Sequence, residues 1–498
     1  MVLNLKAVAG TLGVLLFFLG VSLLAPLAIS LIYGEAAWSA FAATAAFAMV
    51  FGGIVWRTWG RRSEELRVRE GFAIVATAWF VLSLIGAVPF VLSGELASYT
   101  DAFFETMSGF TTTGATILGG ASTPQIEELS HGLLFWRSLA HWLGGMGIIV
   151  LTLAILPILG VGGMQLFKAE VPGPTADKIT PRVRETAQRL WLIYVGFTAV
   201  ETVLLLPAMN LFDAVNHAFA TMATGGFSTR NASVGAFGSA YVDWVVIAFM
   251  YLAGVNFVLH YRVLKGETGR LLRSTEFKTY TAVILGAAVV VAMSTWQPVM
   301  RLMRTESFAG FESLGEALRS GFFQATSIVT TTGFGTADYV LWPPLALTVI
   351  FALFFVGGMA GSTGGGIKVI RHVLLFKNSL REIKQLLHPN AVLPLRLDDH
   401  VVTPDVMRNV LSFAFFYLGL IVFGTVVLAW MGLDLESALG AAASSMGNIG
   451  PAFGTLGPSA TYAALPDVAK WFLSILMMAG RLEIFTVLIL FLPAFWHR

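Results

Sequence analysis

Thr330-Thr331-Thr332-Gly333-Phe334-Gly335 decides how this 498-residue chain is read, because versions of it return three more times. Thr111-Thr112-Thr113-Gly114-Ala115 and Met222-Ala223-Thr224-Gly225-Gly226-Phe227 precede it, and a degenerate Met446-Gly447-Asn448-Ile449-Gly450-Pro451 follows. The glycines at 114, 225, 333 and 450 recur at intervals of roughly 110 residues, the mark of an internal repeat. Each copy has the same context: a hydrophobic span, a short semi-polar helix, the Thr/Gly element, then a second hydrophobic span.

The residue types suit a cation site. A dehydrated monovalent cation needs oxygen dipoles in place of its water, and consecutive backbone carbonyls aimed at one axis supply them. Backbone of that kind enters the left-handed region, which glycine reaches without a Cβ penalty. Four such segments around one axis make a ring of carbonyls from a single chain. On this reading the cation ligands are Thr112, Thr113, Gly114, Ala223, Thr224, Gly225, Thr331, Thr332, Gly333, Asn448, Ile449 and Gly450.

Composition places the chain in a membrane. It is 56% hydrophobic and 12% charged, with a mean hydropathy of +0.77, where a soluble domain carries about 25% charged residues. The spans are long apolar runs, unlike the short alternating segments of an outer-membrane barrel. With no cysteine, disulfides, thiol catalysis and cysteine-held clusters are excluded. The net charge of +2 gives no reason to expect a nucleic-acid partner. No cleavable signal peptide is expected, because the run from Leu12 to Ile32 is long enough to span.

Hydropathy predicts ten spans, near 9–32, 36–57, 71–93, 132–160, 188–210, 241–263, 279–298, 344–372, 407–431 and 468–493. Segments 101–112, 213–224, 315–331 and 435–447 are too short or too polar to cross and read as re-entrant helices. Asp101, Asp213 and Asp434 lie at or near three of their starts, so the negative C-terminal dipole ends should face the cation. The basic loops are 57–69, Lys168 to Arg189, Arg262 to Lys278 and Arg371 to Arg396. By the positive-inside rule they are cytoplasmic, as are both termini. The expected fold is therefore an all-α integral membrane protein. Residues 1–70 form two N-terminal transmembrane helices, and pore repeats follow at 71–160, 161–265, 266–375 and 376–498, related by pseudo-fourfold symmetry.

These residues resemble the Trk/Ktr/HKT superfamily of potassium transporters, most closely its bacterial TrkH branch, over nearly the whole chain. Besides the four elements, the resemblance rests on His141-Trp142-Leu143-Gly144-Gly145-Met146-Gly147-Ile148. It rests also on Gly361-Ser362-Thr363-Gly364-Gly365-Gly366-Ile367-Lys368 and on Ala479-Gly480-Arg481-Leu482-Glu483. The two extra N-terminal spans separate it from KtrB-like members. The resemblance implies K+ as the bound and transported ion and a multi-pass homodimer in the bacterial inner membrane. It also implies a cytosolic TrkA-like regulatory subunit that binds NAD(H) or adenine nucleotides. In the plant branch a serine at the first filter glycine goes with sodium preference, so Gly114 implies potassium. Asn448-Ile449 departs from the Thr-Thr of the other elements.

Two further features stand out. Gly361, Gly364, Gly365, Gly366 and Lys368 interrupt a long apolar segment. A phosphate loop is excluded because Ile367 stands where lysine is required and no strand precedes it. Irregular backbone at membrane depth must line a cavity or be buried in protein, so the run is expected to be an intramembrane loop beneath the filter. Arg481 lies within a predicted span, where a charge is costly and marks a functional site. It is expected to face the pore and, with the loop, to form a gate; pairing with Glu483 or a carbonyl is the structural alternative. Glu201, also within a span, is expected to make a structural hydrogen bond. The eight histidines show no metal-ligand spacing. No nucleophile–base pair or carboxylate dyad suggests an enzyme, and no cofactor is expected in this chain. The rival reading is a sodium- or proton-coupled secondary transporter of another small solute, but such folds usually use inverted repeats rather than parallel ones.

Overall fold

The computed structural model describes residues 3–60, 68–147, 183–302, 310–398 and 400–496. The basic residues Arg61, Arg62 and Arg67, most of the 168–189 loop and the second half of the 132–160 span lie outside the described residues. The described chain is mostly helical, and its named strands are a minimal antiparallel pair, Arg396–Leu397 with His400–Val401.

Helix α1 (Leu5–Ser22) runs into α2 (Leu24–Ile32), and together they make one long apolar span that packs along α3 (Trp38–Trp59). Small residues allow this: a Cβ at Gly13 or Gly52 would lie 2.7 or 2.6 Å from the facing backbone. Close backbone approach is how membrane helices gain packing when lipid is as apolar as leucine.

After these come four consecutive groups of helices. The first is α4 (Val68–Leu92), α5 (Tyr99–Phe110) and α6 (His131–Trp142). The second is α7 (Val183–Leu205), α8 (Leu211–Met222), α9 (Ala240–Ala253) and α10 (Phe257–Leu264). The third is α11 (Thr275–Thr295), α12 (Leu314–Val329), α13 (Pro344–Leu353) and α14 (Val369–Leu387). The fourth is α15 (Pro404–Trp430), α16 (Leu435–Gly447) and α17 (Asp467–Arg481).

Among the described residues five helical segments, Leu5–Ile32, Trp38–Trp59, Arg69–Leu92, Thr275–Thr295 and Pro404–Trp430, are long and apolar enough to cross a membrane. Helix α7, which carries Arg189 and Glu201, is not among them. The closing helices of the second, third and fourth units correct the sequence reading, since none of these three is a continuous span. Helix α6 gives way at Trp142 to a π turn over Leu143–Gly147. The expected 241–263 span is broken at residues 254–256 with a 100° bend, and 468–493 is broken after Arg481 with a 117° bend. Helix α13 stops at Leu353, and α14 begins only at Val369 and runs on to Leu387. Each of these three breaks, and the π turn after α6, begins at or within a few residues of a glycine or glycine pair: Gly254, Gly357-Gly358, Gly480 and, in the π turn, Gly144-Gly145.

Candidate cation site

The four short helices α5, α8, α12 and α16 start and stop alike. Ser98, Asn210, Ser313 and Asp434 cap them, each side chain accepting a backbone N–H of the first turn. Such a cap contributes about 1 kcal/mol. Every first turn also carries an acid, Asp101, Asp213, Glu316 and Glu436 respectively. Thus Asp434 is itself a cap, whereas Asp101 and Asp213 sit three residues inside, where they favour the positive helix end.

At the other end the chain turns through a left-handed residue in all four copies: Thr112 at φ 51°, Thr224 at 54°, Thr331 at 58° and Asn448 at 54°. A bond from the next residue back to the helix closes each turn: Thr113 N to Ser108 O at 2.9 Å, Gly225 N to Ala220 O at 2.8 Å, Thr332 N to Ser327 O at 2.8 Å and Ile449 N to Ser444 O at 3.0 Å. This is the six-to-one bond of a Schellman-type helix end. Left-handed backbone costs a residue with a Cβ about 1–2 kcal/mol, and β-branched threonine is a genuine outlier there. Such strain persists where the surroundings over-determine it, and it clusters at functional sites. Asn448 tolerates this conformation better than threonine, so the degenerate fourth element keeps the backbone of the other three.

A second positive-φ position follows two residues later: Gly114 at 79°, Gly226 at 81°, Gly333 at 77° and Gly450 at 103°. The second element is therefore registered one residue later than its sequence suggests. Gly226 is the counterpart of Gly114, Gly333 and Gly450, while Gly225 corresponds to Thr113, Thr332 and Ile449. Ala223 corresponds to Thr111, Thr330 and Gly447, the residues that begin each turn.

The open faces of these glycines connect the elements in a closed cycle. A Cβ at Gly114 would lie 2.0 Å from Gly225 O, at Gly226 2.0 Å from Thr332 O, at Gly333 1.9 Å from Ile449 O, and at Gly450 2.6 Å from Thr113 O. The fourth contact returns to the first element. Those four carbonyl residues are buried, and among the described residues none of the four oxygens accepts a hydrogen bond. Buried unpaired carbonyls are rare, so this cycle is the candidate site for a cation.

The surroundings hold these elements rigidly. Thr113 and Thr111 hydroxyls meet at 2.9 Å, and Thr111 Oγ1 donates to Met107 O at 2.6 Å; Thr332 and Thr330 repeat the chain onto Thr326 O. Arg137, on α6, donates its Nε to Glu105 of α5 at 2.8 Å and stacks over Phe227 at 4.2 Å, with both charged side chains buried. Glu105 also accepts from Thr116 and from Ile117 N. His141 Nδ1 lies 2.7 Å from Gly109 O, and its Nε2 accepts from Phe227 N at 3.2 Å. This pair escaped the sequence reading, although Arg137 within an apolar run was a legible flag.

Beneath the elements runs the loop 354–368. Its Gly365 N donates to Thr331 Oγ1 at 2.6 Å, and Thr363 Oγ1 donates to Met222 O at 3.0 Å and Ala253 O at 3.2 Å. Met359 N donates to Gly254 O at 2.9 Å, while Gly361 O accepts from Phe257 N at 3.0 Å. Glu276 receives Ala360 N at 2.7 Å and Ile370 N at 3.2 Å. Lys368 Nζ donates to Gly364 O inside the loop, and Gly366 completes the turn at φ 65°. Arg481 donates to Thr363 O at 2.7 Å and to Gly144 O and Gly145 O at 2.8 and 3.0 Å. It thus ties the loop to the break after α6 through carbonyls, while Glu483 pairs with Arg371. Glu201 is fully buried with Thr221 as its polar neighbour, and among the described residues its carboxylate oxygens reach no donor at hydrogen-bonding distance. Among the described residues no cluster of His, Asp and Glu could hold a metal ion.

The chain is 40% identical, over all of both chains, to the Trk system potassium uptake protein TrkH of Salmonella typhimurium. It is 40% identical to the protein of that name from Escherichia coli K12, again over the full length of both. The crystal structure of the potassium transporter TrkH from Vibrio parahaemolyticus superposes with a TM-score of 0.86 at 36% identity, covering 99% of this chain and 100% of that one. Residues 37–498 match the TrkH family, described as a cation transport protein, and the chain belongs to that family.

Proposed function

We propose that this chain carries potassium into the cell through a pore whose selectivity filter is the cycle of four Thr/Gly elements. The observation that carries the reading is the set of four unpaired, buried carbonyls of Thr113, Gly225, Thr332 and Ile449, linked in a closed cycle by glycine contacts. The four units are then pore repeats about one axis, following two N-terminal helices, with boundaries near 70, 160, 265 and 375. Their short helices aim four negative C-terminal ends at the ion. A membrane potential negative inside favours entry by about 2.3 kcal/mol per 100 mV for each charge, so conduction needs no coupled chemistry and no enzyme activity. The names of the full-length relatives support potassium as the ion.

In this reading the 354–368 loop and Arg481 close the path below the filter. The guanidinium places a positive charge in a low-dielectric passage, where like charges a few ångströms apart repel by several kcal/mol. The glycines at 361, 364, 365 and 366 let the loop change its backbone at small steric cost. The protein works as an inner-membrane homodimer with cytoplasmic termini. A cytosolic TrkA-like subunit binding NAD(H) or adenine nucleotides moves the gate from the basic face of α14. Rubidium-86 uptake into proteoliposomes under a negative potential tests this reading. Competition by potassium but not by amino acids is expected; uptake that requires a proton or sodium gradient would favour the coupled transporter instead.

A further inference from the structure

The fourth element differs from the others by more than its sequence. Asn448 Nδ2 donates to Thr113 Oγ1 at 3.0 Å and to Met477 O at 2.8 Å. The carbonyl of Met477 can only accept, which fixes the orientation of the amide. The first bond feeds the hydroxyl chain from Thr113 through Thr111 to Met107 O, so one side chain joins the fourth element to the first and to α5. The second bond grips α17 four residues before Arg481.

The amide oxygen faces the other way. Asn448 Oδ1 is buried and has no hydrogen-bond partner among the described residues. It lies 3.1 Å from where a Cβ would stand on Gly365 of the loop, and 3.1 Å from the same point on Gly480 of α17. Only glycine fits at either place: a Cβ on Gly365 would come 2.5 Å from Gly447 O, and one on Gly480 2.1 Å from Met446 O. The loop and the arginine-bearing helix both press on this one side chain. The other left-handed residue touching the loop, Thr331, does so through its hydroxyl and the Gly365 amide.

We propose that Asn448 is the positioning residue that couples gate to filter, a role resting on the filter and gate reading above. With the loop and α17 in place, its two hydrogen bonds hold the first and fourth elements at the spacing that selects potassium. Movement of α17 with Arg481 breaks the bond to Met477 O, while the bond to Thr113 Oγ1 keeps the two elements together in the conducting state. Coupling of this kind is reciprocal, so an ion in the filter biases the gate by the same factor that the gate biases the ion.

The test measures rubidium uptake without the regulatory subunit, and the rubidium-to-sodium uptake ratio, for the full chain in proteoliposomes. Asn448→Leu keeps similar volume without donor or acceptor; Asn448→Asp keeps the acceptors and loses the donor, and stands in if the leucine variant fails to fold. Both are expected to lower the ratio by about tenfold, the worth of one to two neutral hydrogen bonds. Both are also expected to raise partner-free uptake, and Arg481→Ala should then add little to Asn448→Leu. A purely structural role would lower thermal stability without moving the ratio. If Arg481→Ala raises uptake and its effect multiplies independently with that of Asn448→Leu, the coupling is overturned while the gate stands. If Arg481→Ala leaves uptake unchanged, the gate reading itself falls and the coupling with it.

Discussion

Replacing Gly114 by serine should destroy potassium selection, and the size of the effect follows from two features. The residue sits at φ 79°, where a side chain costs about 1–2 kcal/mol. Its Cβ would stand 2.0 Å from Gly225 O; carbon reaches ordinary contact near 3.5 Å, so the first two elements must part by about 1.5 Å. A carbonyl displaced that far no longer replaces the water of a potassium ion, while a hydrated or smaller ion can pass. The expected fall in the rubidium-to-sodium uptake ratio is at least about tenfold, or roughly 1.4 kcal/mol. The four glycines should also rank by their contacts: Gly333, Gly114 and Gly226 at 1.9, 2.0 and 2.0 Å should be hit hardest, and Gly450 at 2.6 Å least. Parallel rubidium-86 and sodium-22 uptake into proteoliposomes reads both. A well-folded Gly114→Ser protein with an unchanged ratio, or a series in which Gly450 is the most sensitive, would refute the reasoning.

Other consequences can be checked with single proteins. Arg481→Ala should raise rubidium uptake measured without any regulatory subunit, because it removes both a charge and the three carbonyl bonds that tie the loop to the turn after α6; unchanged flux would return the arginine to a packing role. Glu105→Gln leaves Arg137 buried without its charge partner, a loss of about 3–5 kcal/mol, so the melting temperature in detergent should drop by several degrees. Gly225→Ala meets the His141 ring at 2.4 Å whereas Gly226→Ala meets the backbone oxygen of Thr332 at 2.0 Å. Adding His141→Ala should therefore recover part of the stability of the first variant and none of the second, and equal recovery would contradict the register of this element. Arg381 and Lys384 lie on the outer part of α14; neutralising both should weaken capture of the regulatory subunit in a salt-dependent way.

Much of the fold was legible because membrane burial writes itself as long apolar runs, and the recurring turn was legible in three of its four glycines, 114, 333 and 450. The breaks in the closing helices were not. Gly254 and Gly480 sit inside apolar stretches, where a glycine reads as a packing residue, and only the folded chain shows that Met359 N reaches Gly254 O or that Gly480 abuts Met446 O. The slip between Gly225 and Gly226 has a similar cause: Ala223 breaks the run of threonines, two adjacent glycines offer two alignments, and the left-handed turn at Thr224 decides between them. Arg481 was visible as a charge in a span, but its carbonyl partners come from segments 118 and 337 residues away. Glu105 and Arg137 lie 32 residues apart on different helices, a pairing that no local pattern encodes.

The claim on which the rest depends is that a dehydrated potassium ion sits within the cycle of carbonyls. Crystals grown in rubidium or thallium, with anomalous diffraction collected at the absorption edge, would locate the ion directly. The account predicts anomalous density on the axis, ringed by the oxygens of Thr113, Gly225, Thr332 and Ile449 and lost in Gly114→Ser. Density confined to the space below the loop, with none within the ring, would contradict it.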